Sequence, residues 1–186
     1  MTNPGAPTVR RATEEDIAVL HQIAAETFSL ACPPGTRRAD MDAHIASTLS
    51  EARMGEYLRD PARELFLAHA GPVPVGYTML VVGDPVDPDV AASVLARPTA
   101  ELSKCYVRAA SHGAGAGHAL IEATAAAAAA RGAASLWLGV NALNFRADAF
   151  YARQGFVRVG ARRYLVGSEW HDDIVRERLL APAAGT

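Results

Sequence analysis

Three glycines alternate with small residues in the segment His112-Gly113-Ala114-Gly115-Ala116-Gly117-His118. The segment follows an apolar-rich run that ends at Val107 and precedes an alanine-rich stretch that is typical of a helix. A loop with so little side-chain bulk can bring its backbone N–H groups together on an anion, with the positive end of a helix behind them. The segment therefore predicts a binding site for a phosphate or pyrophosphate.

Two common phosphate-binding loops do not fit this spacing. The dinucleotide pattern G-x-G-x-x-G fails because the sixth position is His118 when counted from Gly113, and Leu120 when counted from Gly115. The P-loop pattern fails because the chain contains no Gly-Lys pair. The remaining pattern, G-x-G-x-G, is by itself also compatible with an ordinary glycine-rich turn.

A second set of residues lies in a short helix further along the chain. Asn144 is a good helix N-cap, and Gly155 ends the helix. Asn144, Ala147 and Tyr151 are spaced i, i+3 and i+7, which places them on one helix face. From residue 101 onward, the predicted elements therefore follow in the order strand, glycine loop, long helix, strand and short helix.

Together these two motifs resemble the GNAT superfamily of acetyl-CoA-dependent N-acetyltransferases, over about residues 101–160 and more loosely over 9–180. The family's cofactor signature Q/R-x-x-G-x-G/A falls on 112–117, and its second signature N-x-x-A-x-x-F-Y-x-x-x-G-F falls on 144–156. The segments 137–141, 158–160, 165–167 and 172–175 are similar to the branch that contains PaiA and the spermidine/spermine acetyltransferases.

The resemblance implies acetyl-CoA as cosubstrate and a set of residues that bind it. The backbone of 105–107 would pair with the pantetheine arm, and the backbone near Leu138 would polarise the thioester carbonyl. Because His112 stands where the family has Arg or Gln, we expect weaker phosphate binding. The expected cofactor-binding residues are Cys105, Tyr106, Val107, His112, Gly113, Ala114, Gly115, Ala116, Gly117, His118, Leu138, Asn144 and Ala147.

Two residues are candidates for acid–base chemistry. Tyr151 would donate a proton to the departing thiolate, since its reference pKa is about 10; the alternative is a core aromatic with a backbone partner. Related polyamine enzymes place a glutamate where this chain has Ser103. Glu101, two residues earlier and expected on the same strand face, could deprotonate the amine through water; the alternative is a solvated carboxylate.

The resulting functional prediction is acetyl transfer from acetyl-CoA to a primary amine of a small molecule, by direct attack in a ternary complex. A polyamine-like acceptor is one option, and a homodimer is left open. Two alternatives remain at this point: a non-catalytic acyl-CoA-binding or regulatory module, and an acetyltransferase that acts on protein amines.

Composition limits the other classes of function. The 186 residues carry a formal net charge of −2, which gives no support to nucleic-acid binding. No signal peptide or bilayer-spanning segment is apparent, so we expect a cytoplasmic protein without a membrane partner. No metal is expected, because metal-ligand spacing is lacking for His21, His44, His69 and His171. Cys32 and Cys105 are expected as lone thiols, with one disulfide as the alternative. Asp172 and Asp173 are expected as a solvated pair beside a turn, with contact to a cationic acceptor as the alternative.

The expected fold is one α/β (α+β) domain over 1–186, with a core at about 9–180, a frayed tail at 181–186, and a mixed, mostly antiparallel sheet between two helical layers. A helix capped by Thr13 ends before Pro33, and a second helical region at 38–60 divides near Ser50. Residues 83–99 are expected to be a loop. The expected strands are 9–12, 64–69, 74–82, 101–107, 135–140, 156–166 and 174–180.

Overall fold

The fold is built on a seven-stranded sheet, in a computed structural model that describes residues 6–33, 35–166 and 169–181. The strands lie in the order β1-β2-β3-β4-β5-β7-β6. Their bounds are β1 (Thr8–Arg11), β2 (Arg63–Ala70), β3 (Val73–Val82), β4 (Thr99–Val107), β5 (Ser135–Asn141), β6 (Val157–Val166) and β7 (Glu169–Leu179).

Helices connect these strands and cover both faces of the sheet, as predicted. Their bounds are α1 (Ile17–Ala31), α2 (Arg38–Thr48), α3 (Glu51–Arg59), α4 (Pro88–Ser93), α5 (Ala116–Ala130) and α6 (Phe145–Arg153). The predicted division of the second helical region occurs at Ser50, whose hydroxyl accepts a bond from the Arg53 amide. Within the described residues, no helix is long and apolar enough to cross a bilayer.

All strand pairs are antiparallel except β4 and β5. These two run parallel and pair only where Thr99–Glu101 lies beside Ser135–Trp137. The closed end is held by Thr99, whose hydroxyl donates to the Ser135 carbonyl at 3.1 Å and lies 2.7 Å from the Ser135 hydroxyl. Beyond this point the two strands diverge, and the middle of the sheet opens.

The sheet separates two apolar cores. On one face, α1 and α3 pack against β2 and β3, with Leu20, Ile23 and Tyr77 fully buried. On the other face, the alanines of α5 let that helix lie close to the sheet, and the Thr124 hydroxyl meets the Thr78 hydroxyl at 2.7 Å. The cofactor motifs predicted from the sequence therefore lie on the α5 side, and α1–α3 cover the opposite side.

Three expectations from the sequence are corrected. The loop predicted at 83–99 contains α4, because Asp87 caps its first amides and Val90 is buried. Strand β7 begins at Glu169 rather than 174, so the final hairpin is longer than expected. Asp173 is therefore not solvated beside a turn: it is 6% exposed and forms an ion pair with Arg162, with 3.4 Å between Oδ2 and Nε.

Two other predictions fall partly outside the described residues. The centre of the predicted hairpin turn, 167–168, and all but the first residue of the expected frayed tail, 182–186, are not described. Cys32 and Cys105 are free thiols, as expected from the sequence.

Candidate functional site

A cavity of about 510 Å³ lies where β4 and β5 diverge. Its walls come from the end of α1, the outer part of β4, the glycine loop, β5 and α6. Among the described residues around it, no aspartate or glutamate side chain is present. The lining residues are Thr27, Leu30, Ala31, Leu102, Ser103, Lys104, Cys105, Tyr106, Val107, Ser111, His112, Gly113, Gly115, Gly117, His118, Gly139, Val140, Asn141, Asn144, Arg146, Ala147, Phe150, Tyr151 and Arg153.

Most of the predicted site residues meet in this cavity. Ten of the expected cofactor-binding residues line it, together with Tyr151. Four predicted residues do not line it: Glu101, Ala114, Ala116 and Leu138. The side chains of Ala116 and Leu138 are buried in apolar clusters on the α5 side of the sheet, so only their backbone could contact a ligand.

The outer half of β4 presents an unused strand edge to the cavity. Residues 102–107 pair with β3 on one side, and β5 pairs with β4 only up to Glu101 on the other. Alternate backbone N–H and C=O groups on the β5 side therefore point into the opening. Such an edge can bind an extended ligand that carries amide groups, in the manner of an added strand.

The glycine loop lies at the mouth of this opening. Gly113 and Gly115 have φ values of +80° and +88°, a region that favours glycine over any residue with a Cβ. Gly115 caps α5, so the first amides of that helix lack partners within it and are free to bind an anion. A Cβ on Gly117 would come within 3.0 Å of the Phe150 ring, which packs α6 against the loop.

The side chain of His112 is held between two partners. Its Nδ1 accepts from the guanidinium of Arg146 at 2.6 Å, and its Nε2 donates to the Val107 carbonyl at 2.8 Å. The ring is therefore neutral in this arrangement, and the positive charge beside the loop comes from Arg146 of α6. Arg146 was missed because it occupies an unspecified position of the family signature.

A helical periodicity could have identified the basic face of α6. Arg146, Phe150 and Arg153 are spaced i, i+4 and i+7, and all three line the cavity. At the other end of the loop, His118 Nδ1 donates to the Gln154 side-chain oxygen at 2.7 Å. That bond ties the start of α5 to the end of α6.

Asn144 has a positioning role in the structure. Its Oδ1 accepts from the Ala147 amide at 3.1 Å, and its Nδ2 donates to the Leu30 carbonyl at 3.4 Å. The first bond caps α6 and the second ties that helix to α1. The predicted face of Asn144, Ala147 and Tyr151 does point into the cavity.

Tyr151 lies beside the strand edge and contacts Cys105. The two side chains are hydrogen-bonded, and burial raises the pKa of the tyrosine well above its ordinary value. Burial also raises the pKa of the Cys105 thiol to about 11, although the Tyr151 hydroxyl, by donating to it, partly opposes the shift. Both groups therefore keep their protons at neutral pH, and this part of the cavity strongly disfavours a bare thiolate.

A bulge in β4 changes which side chains lie together. Leu80 pairs with Leu102 and Met79 with Lys104, so Ser103 is an extra residue in the strand. The bulge interrupts the regular alternation of β4, and Lys104, which a regular strand would place on the opposite face from Glu101, is the strand neighbour whose charge acts on that carboxylate.

Glu101 and Lys104 shift in opposite directions. Burial raises the pKa of Glu101, against the opposing effect of Arg162, Lys104 and Arg63. Burial lowers the pKa of Lys104 to about 8, against the opposing effect of Glu101. Lys104 lines the cavity and Glu101 does not, so Glu101 could reach a ligand there only through an intervening group.

Comparisons with known proteins agree with this geometry. Residues 17–156 match the acetyltransferase (GNAT) family. The chain is 42% identical over 166 residues to an uncharacterised N-acetyltransferase of Mycobacterium tuberculosis, which covers 89% of this chain and 98% of that protein.

Two solved structures have the same fold at low sequence identity. A GCN5-related N-acetyltransferase from Rhodopseudomonas palustris has a TM-score of 0.71 at 22% identity, covering 97% of this chain and 99% of that one. The PaiA N-acetyltransferase from Thermoplasma acidophilum, solved in complex with coenzyme A, has a TM-score of 0.71 at 16% identity, covering 93% and 98%.

The raised pKa of Cys105 gives a direct test of the environment around Tyr151. In a Cys32→Ser background, alkylation of Cys105 by iodoacetamide should rise with pH toward a midpoint at about 11. Adding Tyr151→Phe should move the midpoint higher, because the tyrosine hydrogen bond stabilises the thiolate. A midpoint near the ordinary thiol value of about 8.5 would show that this region is open to water.

Proposed function

This chain belongs to the acetyltransferase (GNAT) family, and from that premise we propose that it transfers the acetyl group of acetyl-CoA to a primary amine of a small molecule. The amine attacks the thioester directly, in a ternary complex. The observation that carries the proposal is the position of Tyr151, protonated and beside the unused edge of β4. The unpaired backbone edge of β4 would bind the cofactor, and the Tyr151 hydroxyl beside it would donate a proton.

Coenzyme A would bind by its pyrophosphate at the glycine loop. The amides at the start of α5 would donate to the phosphate oxygens, each bond contributing about 1.5–3 kcal/mol. Arg146, held by His112, would add the charge that the family's Arg or Gln supplies from the loop itself. This arrangement offsets the weaker phosphate binding expected from His112 alone.

The pantetheine arm would extend the sheet along the outer half of β4. Its two amides match the alternating N–H and C=O groups of residues 103–107, which β5 leaves unpaired. The thioester would then reach the point where the strands diverge, near Cys105 and Tyr151. The backbone near Leu138 on β5 would polarise its carbonyl, as the family resemblance implies.

The transfer can be written with every proton accounted for. The neutral amine nitrogen forms a bond to the thioester carbon, the C–S bond breaks, and the Tyr151 hydroxyl gives its proton to the departing sulfur. The Tyr151 phenolate then takes a proton from water, which restores the hydroxyl for the next turnover. The burial that raises the pKa of the Cys105 thiol to about 11 would also make a thiolate released beside it more basic than in water, which favours its protonation. The amine loses its own proton through water to Glu101, whose raised pKa makes it a stronger base than an ordinary carboxylate.

The charge of the cavity bears on the acceptor. A polyamine at neutral pH is a polycation and needs carboxylates around it, yet the described lining contains Lys104, Arg146 and Arg153 and no acid. The polyamine-like option therefore finds no support in the charges of the cavity.

A panel of acceptors separates the alternative functions: amines, amino acids and peptides with an N-terminal amine, each scored by thiol release from acetyl-CoA. Tight CoA binding without thiol release on any of these acceptors would favour a non-catalytic module.

The role of Tyr151 predicts a specific kinetic loss. Tyr151→Phe should lower kcat by about 10²- to 10⁴-fold, because the departing thiolate loses its proton donor. Its dissociation constant for CoA, measured by calorimetry, should change little, since the ring still packs against Phe150 and Phe156.

Tyr77→Phe is the matched control. Tyr77 is fully buried outside the cavity, and its hydroxyl makes no hydrogen bond within the described part of the chain. Its loss should leave kcat as in the parent protein. Equal kcat for Tyr151→Phe and the parent, with chemistry rate-limiting, would contradict the assigned role.

The role of Arg146 predicts a loss of cofactor affinity. Arg146→Met should weaken CoA binding by roughly 3- to 10-fold, a modest factor because the side chain is exposed and its charge is screened. The difference from the parent should shrink as salt is raised. The control Arg38→Met removes an exposed arginine of α2 outside the cavity and should leave the affinity unchanged. Indistinguishable affinities for the two variants would show that Arg146 does not contact the phosphates.

A further inference from the structure

Lys104 enters the cavity from the side of the sheet opposite to the glycine loop. Its ammonium lies 5.2 Å from the centre of the Tyr57 ring, so the side chain points toward α3. Cys105, the next residue, faces the core beneath α5 and α6. The cavity is thus open to the α5 side through Cys105 and Tyr151, and to the α1–α3 side through Lys104.

These two sides would hold different parts of a ternary complex. The cofactor occupies the α5 side, because the glycine loop begins that helix. An amine that attacks the thioester from the other side of the sheet must pass α1 and Lys104. Lys104 is the one Lys, Arg, Asp or Glu side chain among the described residues that lines this part of the cavity, since Arg146 and Arg153 belong to α6.

The charge of Lys104 is poorly compensated by its neighbours. The ammonium makes no hydrogen bond to any described residue. Glu101 attracts it, but that carboxylate is shared with Arg162 and Arg63. Its remaining neighbours include Arg53 and Tyr57 on α3 and His44 on α2.

The arginines near Lys104 differ from it, because each already has a carboxylate partner. Arg53 and Arg63 lie over the same Tyr57 ring, 5.1 and 5.0 Å from its centre, and each is paired with a carboxylate of its own, Glu56 and Asp60. The Lys104 ammonium is only partly buried, and with a cation–π contact but no hydrogen-bonded anion of the described chain it has N–H donors available to a ligand in the cavity. An anionic group of a ligand would satisfy them at this point.

Resting on the acetyltransferase function proposed above, we propose that Lys104 determines acceptor specificity by binding a carboxylate of the acceptor, so that the substrates are amino-acid-like amines that carry an anion. The ammonium of Lys104 and the carboxylate form a charge-assisted hydrogen bond beside the thioester. The acceptor amine is then held facing the strand opening. Polyamines and other amines without an anion are excluded by the same charge, because a second cation there is repelled.

The protonation of Lys104 predicts how the preference for a carboxylate-bearing acceptor depends on pH. Its pKa of about 8 leaves it mainly charged at pH 7 and mainly neutral at pH 9. Preference for a carboxylate-bearing amine should therefore fall between pH 7 and pH 9. Glu101, Arg63, Arg53 and His44 also face this lysine, so the comparison needs a variant in which the lysine alone is changed.

The test uses pairs of amines that differ by one carboxylate: tyrosine with tyramine, histidine with histamine, and lysine with cadaverine. For each pair, the ratio of kcat/KM values is measured by thiol release with the parent protein, Lys104→Met, Lys104→Arg and Arg53→Met. We expect the parent to favour the amino acid of at least one pair. Lys104→Met should reduce that ratio at least tenfold, mainly through KM, and abolish its change between pH 7 and pH 9.

Two variants separate the charge from the packing. Lys104→Arg keeps a cation and should retain most of the preference, and Arg53→Met removes a cation from the same ring outside the cavity and should leave it intact. A parent protein that prefers the decarboxylated amine of every pair would overturn the proposal. So would a ratio that Lys104→Met leaves unchanged.

Binding measurements keep this outcome distinct from failure of the proposed function. If CoA binds but no amine is acetylated, the affinities of N-acetyltyrosine and N-acetyltyramine for the CoA-loaded protein decide the proposal: the acid should bind more tightly, and Lys104→Met should remove the difference. Equal affinities would refute the carboxylate contact. If CoA does not bind and no thiol is released, the proposed function fails and the inference falls with it.

Discussion

The end of pairing between β4 and β5 sets the geometry on which the rest of this molecule depends. Thr99 and Ser135 hold the strands together at one end through a side-chain hydrogen bond. Beyond Glu101 and Trp137 the pairing stops, and the strands leave an open edge in the middle of an otherwise continuous sheet. Buried backbone groups without partners are costly, so this edge is stable only where water or a ligand can reach it. The cavity, the dock for an extended ligand and the position of Tyr151 all follow from that opening.

The distribution of charge gives the two sides of the opening different uses. On the α5 side, helix amides, Arg146 and Arg153 surround the glycine loop, which suits the phosphates of a nucleotide-containing cofactor. On the α1–α3 side, Lys104 stands alone among apolar and hydroxyl groups of the described lining. Between them lie Tyr151 and Cys105, buried enough that both retain their protons. The proposed phosphate binding, proton donation and acceptor recognition therefore fall at three separate places along one cavity.

The sequence predicted features whose physics is local and missed those that arise between distant segments. The glycine-rich loop around Gly113 and Gly115, the Asn144 cap and the shared face of Ala147 and Tyr151 depend on neighbours within a few residues, and the structure has them. The contact of His112 with Arg146 spans 34 residues, and no spacing rule indicates it.

The β4 bulge had the largest effect on the site, and sequence alternation concealed it. A regular strand would place Glu101 and Lys104 on opposite faces, but the extra residue brings Lys104 beside Glu101. The buried pair of Asp173 and Arg162 was missed for a related reason, since two adjacent aspartates near a turn usually lie in water. Both errors fall outside the two signature segments 112–117 and 144–156.

Amide hydrogen exchange, with and without saturating CoA, tests the central claim that the opening between β4 and β5 is the cofactor site. CoA should slow the exchange of amides in 103–107 and 113–118, because the former would bond to pantetheine and the latter to phosphate. The already paired amides of β1 and β6 should show no change. Unchanged exchange along the outer half of β4 and the glycine loop at saturating CoA, or protection confined to another part of the sheet, would contradict the account.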